Sequence, residues 1–149
     1  MKSKSARDAD LRSNVDDGPL IVQFASNNGD DHGRIAQGLW GHCEGIDLNC
    51  GCPQRWVNQL NYGDVLMKQP ELLADIIKQT RRAVPDSEFC ISVKIRVYND
   101  IKQTVSLAQQ LEAMGAGLLS IHGRTHNERD HPVRNETIRA VKDSLQYVF

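Results

Sequence analysis

The stretch GIDLNCGCPQRW, residues 45–56, begins as a strand and ends as a turn. Ile46 and Leu48 alternate with Asp47 and Asn49, so one face is apolar and the other polar. Alternation puts Cys50 on the apolar face as a small buried hydrophobe. Cys52 falls past the strand end, between Gly51 and Pro53. Three other runs repeat the pattern: PLIVQFA (19–25), CISVKIRV (90–97) and GLLSIHG (117–123). In the first, Ile21 and Gln23 share a face, opposite Leu20, Val22 and Phe24. In the others, Ser92, Lys94 and Arg96 oppose Ile91, Val93 and Ile95, and Ser120 and His122 oppose Leu119 and Ile121. Every strand therefore has an apolar face and a second face that turns polar near its C-terminal end.

Helical segments separate these strands. Residues 70–84 open with Pro70 and Glu71, both suited to a first turn. Leu72, Leu73, Ile76, Ile77 and Val84 then form one stripe. Residues 101–114 follow a cap at Asp100, carry Val105, Ala108, Leu111 and Met114 on one side, and stop at Gly115. Shorter patterns predict helices over 31–40, through Ile35, Ala36 and Leu39, and from about Asn135, through Ile138, Val141 and Leu145. The order β-α-β-α-β-α-β-α predicts parallel strands with right-handed crossovers. In a (β/α) barrel, and equally in a doubly wound sheet, the C-terminal strand ends build the site. The barrel is favoured because four interior faces turn polar at one level, as if around one ligand. About four β/α units make this an α/β protein with part of a (β/α)8 TIM barrel. A polar segment covers 1–18 and the barrel portion 19–149.

A chain of 149 residues suffices for one domain with a core. No apolar run approaches the ~20 residues of a membrane-spanning helix, so no membrane partner is expected. Four cysteines, with a first segment unlike a signal peptide, predict free thiols in a reducing compartment, most simply the cytoplasm. A self-sufficient nucleic-acid binder normally carries a basic face, and a net charge of -1 shows none at the level of totals. A nucleic-acid substrate is therefore expected to be gripped mainly outside this segment. Cys43, Cys50 and Cys52 are spaced C-x6-C-x-C. That is not a usual zinc spacing and no second pair follows, so no metal is expected. A single Gln or His at a strand end is usually an ordinary turn or core residue. Lys94 in mid-strand is harder to explain that way, because lysine is seldom buried without a partner.

The motifs LNCGCPQRW, VKIR and IHGRT, with PLIVQFA upstream, resemble the tRNA-dihydrouridine synthases, most nearly the 20a/20b subfamily, from about Ala6 to Lys142. The resemblance implies that Cys52 is the catalytic cysteine and that Gln23, Lys94 and His122 contact the flavin. Asn49 and Arg96 would line the same mouth. It further implies reduction of the uracil C5=C6 bond in the D-loop of tRNA by FMN, itself reduced by NADPH or NADH. An ordinary cysteine, pKa about 8.5, is mostly a thiol at neutral pH and can protonate C5 as a general acid. A cation such as Lys94 would offset negative charge on reduced flavin. The uridine must leave its stack to reach the flavin.

The family pattern also holds parts this sequence lacks: earlier strands with an APM-like flavin contact, later strands with an NGD motif and a phosphate loop, and a helical tRNA-binding domain. Asp64, in YGDVLMKQ, stands where the family usually has a small residue. Two other readings remain open at this point. One is a truncated, non-catalytic fragment, and the other is a flavin barrel reducing a free pyrimidine.

Overall fold

The computed structural model describes residues 11–14 and 16–146. Four strands form one parallel sheet in the order β1 (Ile21–Phe24), β2 (Gly45–Cys50), β3 (Cys90–Arg96) and β4 (Leu118–His122). Between them run α1 (Gly29–Leu39), α2 (Arg55–Gln59), a 3-10 helix (Gly63–Lys68), α3 (Pro70–Ala83) and α4 (Ile101–Ala113), and α5 (Asn135–Ser144) follows β4. Each predicted strand is present, trimmed by up to two residues at its ends. Strand neighbours follow chain order, as in an arc of a (β/α) barrel. Of the polar segment 1–18, residues 1–10 and 15 lie outside the described residues, as do 147–149 of the barrel portion. Within that segment, Leu11 packs against the core.

The apolar strand faces meet the helices as alternation requires. Ile46, Leu48, Ile91, Val93 and Ile95 are each at most 1% exposed. Such burial is worth roughly 1.5–3 kcal/mol per side chain relative to exposure. The larger cluster joins Leu48, Val93 and Ile95 to Leu73, Ile76 and Ile77 of α3 and to Leu107 and Leu111 of α4. A smaller one joins Ile46 to Ala36, Leu39, Val84 and Phe89, with Val22 and Phe24 of β1 leaning on it. Cys50 belongs to the larger cluster and is wholly buried.

The helices begin where local chemistry satisfies their free N–H groups. Asp100 accepts from the Lys102 N–H at 2.9 Å, and Pro70 opens α3. The first helix starts at Gly29, two residues earlier than the apolar pattern predicts. The Asn28 side chain accepts from the Asp31 N–H at 3.0 Å and sets that boundary. α1 then lies so close to α3 that a Cβ at Gly29 would come within 2.6 Å of the Asp75 carboxylate. The α2 and 3-10 segments were not predicted, since neither is long enough for a periodic stripe to show.

Candidate active site at the C-terminal strand ends

The polar strand faces form three consecutive rows. Gln23, Asp47 and Ser92 share the first, Asn49, Lys94 and Ser120 the second, and Arg96 and His122 the third. The expectation of one level is corrected by this register: Gln23, Lys94 and His122 climb one row per step. A barrel produces such a stagger, because tilted strands turn one level around the axis into successive register rows.

Asp47 anchors the first row. It is 6% exposed and receives hydrogen bonds from the Ser92 hydroxyl and, at 2.5 Å, from Gln23 Nε2. Buried carboxylates need such donors, since an unpartnered one carries a large desolvation penalty. The anchored Gln23 accepts at Oε1 from Asn49 Nδ2 at 3.1 Å. Asn49 Oδ1 in turn accepts the backbone N–H groups of Gly51 and Cys52, both at 3.1 Å. This Asx turn folds the chain sharply at the end of β2 and fixes Cys52 in orientation. Ser92, Asp47, Gln23, Asn49 and Cys52 are thus linked in one continuous hydrogen-bonded series.

The carbonyl side of Cys52 is held as firmly. It accepts from the Asp64 N–H at 3.1 Å and from Asn58 Nδ2 at 3.2 Å. Gly63 makes this approach possible. Its φ is +75°, and a Cβ there would lie 2.4 Å from the Cys52 carbonyl oxygen. Arg96 closes the third row, its Nε donating to the Gly51 carbonyl at 2.7 Å and its Nη1 to the Thr125 carbonyl at 2.9 Å.

The four thiols, all free, differ as the alternation predicts. Burial pushes the Cys50 thiol far above its ordinary range, with Asp47 adding to the effect. Burial also raises Cys43 and Cys90, which sit at the strand entrances. Cys52 is half-buried, with its thiol engaged in no hydrogen bond among the described residues. Lys94 is half-buried beside Asn49 and Ser120, with no ion pair or hydrogen bond among the described residues. His122 is held below the ordinary histidine range by burial first, then by Arg96, Lys94 and Arg124. Its neutral form is thereby favoured beside a cationic strand end.

All six predicted residues thus lie at one end of the sheet. Gln23, Asn49 and the Cys52 turn are directly hydrogen-bonded, and Arg96 joins that turn from the third row. Lys94 and His122 are register neighbours of Asn49 and Arg96 rather than bonded partners. Sequence reasoning missed Asp47 as the hub, although alternation had already put it on the polar face. It also missed Asn58, and it singled out Asp64 only as a departure from the family pattern; both reach the site through loop closure and leave no periodic signal.

Comparisons with known proteins identify the family and the fold. The dihydrouridine synthase (Dus) family profile matches residues 1–149. A human tRNA-dihydrouridine(20a/20b) synthase [NAD(P)+]-like protein is 43% identical over 145 residues, covering 97% of this chain and 46% of the relative. The Schizosaccharomyces pombe tRNA-dihydrouridine(20a/20b) synthase [NAD(P)+] is 35% identical over 138 residues, 92% of this chain and 42% of the relative. The chain therefore spans less than half the length of these relatives. Among solved structures, a dihydrodipicolinate synthase family protein from Coccidioides immitis superposes with a TM-score of 0.55 at 14% identity, over 85% of this chain and 39% of that one. That likeness concerns the fold alone. Partial (β/α)8 barrel by architecture, the chain belongs to the dihydrouridine synthase family.

Proposed function

We propose that this chain works within a cytoplasmic FMN-dependent enzyme that reduces uridine to 5,6-dihydrouridine in the D-loop of tRNA, with NADPH or NADH as reductant. The observation that carries this reading is the hydrogen-bonded series from Ser92 to Cys52, which holds a partly exposed thiol beside two polar strand ends. The same end has spare capacity for a polar, anionic planar group. Gln23 is exposed and keeps one amide N–H and one lone pair beyond its two bonds. Lys94 has no competing partner among the described residues.

Gln23, Lys94 and His122 would hold FMN, which when bound and reduced supplies a hydride equivalent to the uracil ring. What remains falls to the chain. Reduction across C5=C6 places negative charge on the C5 side, and the Cys52 Sγ–H donates its proton to C5. The Asn49 turn aims that thiol, and Arg96 keeps the turn from opening. Lys94 would offer positive charge to the negative charge of the reduced cofactor. The neutral form of His122 leaves one ring nitrogen as acceptor and the other as donor, suited to a cofactor or base edge.

The test is the dihydrouridine content of tRNA in cells that lack their own synthase and express the protein carrying this segment. Restoration that falls by about 10²–10⁴-fold in rate on Cys52→Ala supports the assignment. Near-normal modification by that variant refutes it. Reduction of free uracil but not tRNA would favour a free-pyrimidine enzyme instead.

A further inference from the structure

The loop between β4 and α5 carries an assembly that the chemistry above does not use. Asp64 is 7% exposed, and its two carboxylate oxygens have separate partners. Oδ1 accepts from Asn58 Nδ2 at 3.0 Å, while Oδ2 is in short contact with His126 Nδ1. The imidazole itself is about half exposed. A buried carboxylate is thus committed to a histidine sixty-two residues away that faces solvent. Such a partner fixes Nδ1 as the inward donor and leaves Nε2 directed outward.

His126 borders a cavity of about 440 Å³ together with Pro53, Arg96, His122, Glu128 and Arg129. Glu128 is already engaged by Arg134 at 2.6 Å and by the Thr125 N–H at 2.8 Å. The remaining polar groups of the wall are the guanidiniums of Arg96 and Arg129, the imidazoles of His122 and His126 and the neutral amide of Asn127, a set rich in N–H donors that favours an anionic ligand. Pro53 follows Cys52 directly, so a ligand here lies next to the turn that carries the thiol. Gln23, Asn49 and Lys94 do not border this cavity, and of the proposed flavin contacts only His122 reaches it.

We propose that His126, backed by Asp64, binds a phosphodiester group of the RNA strand adjacent to the reacting uridine. The inference rests on the RNA-substrate reading above. The Nε2–H donates to a non-bridging phosphate oxygen, and Asp64 supplies the counter-charge for the imidazolium that the phosphate favours. Arg129 adds a second cation at the same wall, and no bond is made or broken.

The experiment titrates the full chain, carbon-13 and nitrogen-15 labelled at histidine, with the trinucleotide UpUpU, with uridine and with FMN. UpUpU should shift the His126 imidazole resonances, while uridine, which lacks phosphate, should leave them in place. His126→Ala, at a half-exposed position, should weaken UpUpU about tenfold, the range of one charge-assisted hydrogen bond. His126→Gln, which keeps a donor near the Nε2 position, should recover part of that loss, and Asp64→Asn should lose part of it. Resonances unmoved by millimolar UpUpU, or moved equally by uridine, overturn the proposal. FMN displacing UpUpU from His126 also overturns it, by assigning the phosphate to the flavin. UpUpU binding through His126, together with near-normal tRNA modification by the Cys52→Ala variant of the protein carrying this segment, would uphold this site and sink the catalytic reading.

Discussion

Stability should fall in mild acid through one buried histidine. His32 on α1 is fully buried against α3, where the Thr80 hydroxyl donates to the Ile76 carbonyl at 2.6 Å. With its proton so used, Thr80 Oγ1 accepts from His32 Nδ1 at 2.8 Å. That fixes the neutral Nδ1–H tautomer and leaves Nε2 buried with no partner among the described residues. Burial lowers the His32 pKa from 6.5 to about 4. The unfolded chain therefore binds more protons between these values, and stability drops as pH falls from 6.5 toward 4. The full effect of such a shift is about 3 kcal/mol, of which about 2 kcal/mol is lost by pH 5. His32→Asn keeps a donor near Nδ1 but cannot titrate. Urea unfolding of both proteins at pH 7.5, 6 and 5 should show the native chain losing about 2 kcal/mol more than the variant at pH 5, a midpoint change on the order of 1 M. Carboxylates common to both cancel in the difference. Equal losses in the two proteins would refute the reasoning.

Other residues yield sharper local outcomes. Lys94→Met, in the protein that forms dihydrouridine, should slow flavin reduction by the nicotinamide or weaken FMN retention while leaving unfolding midpoints nearly unchanged; unchanged reduction and FMN content would remove Lys94 from the site. Gly63→Ala should destabilise the chain by about 1 kcal/mol or more, from its left-handed backbone and the clash with the Cys52 carbonyl, and a variant with native stability would contradict that packing. Iodoacetamide at neutral pH should label Cys52 well before Cys50 when peptides are resolved by mass spectrometry. Equal rates at the two cysteines would show that the β2 faces are wrongly assigned.

Strand positions were legible because period-two alternation is a direct projection of which face is buried. Asp47, Asn49, Lys94 and Arg96 could be read as polar-face residues from Ile46, Leu48, Val93 and Ile95 alone. Alternation does not reveal register, so the stagger of Gln23, Lys94 and His122 over three rows emerged only from the pairing of strands. Nor does it reveal partners: Asp47 as a hub depends on donors from two neighbouring strands. The Asp64–His126 pair was illegible for a further reason. Both residues sit in aperiodic connections, and their contact depends on how two separate loops close over the sheet. His32 lay inside a segment correctly read as helical, but its burial follows from the close approach of α1 to α3, which a one-helix pattern cannot report.

Arg96 has a consequence for how such a mouth can diverge. A single guanidinium grips the carbonyls of Gly51 and Thr125, which belong to the segments following two different strands. An insertion beside either carbonyl would pull one half of the grip away and release the other, so the two segments cannot be exchanged piecemeal. Length changes should be absorbed farther out, at the exposed Arg129 and Asp130, whose backbone has no such clasp among the described residues, just ahead of His131, whose carbonyl Arg124 holds. Recombination of loops between relatives should therefore succeed when both carbonyl-bearing turns travel with their arginine, and fail when one is swapped alone.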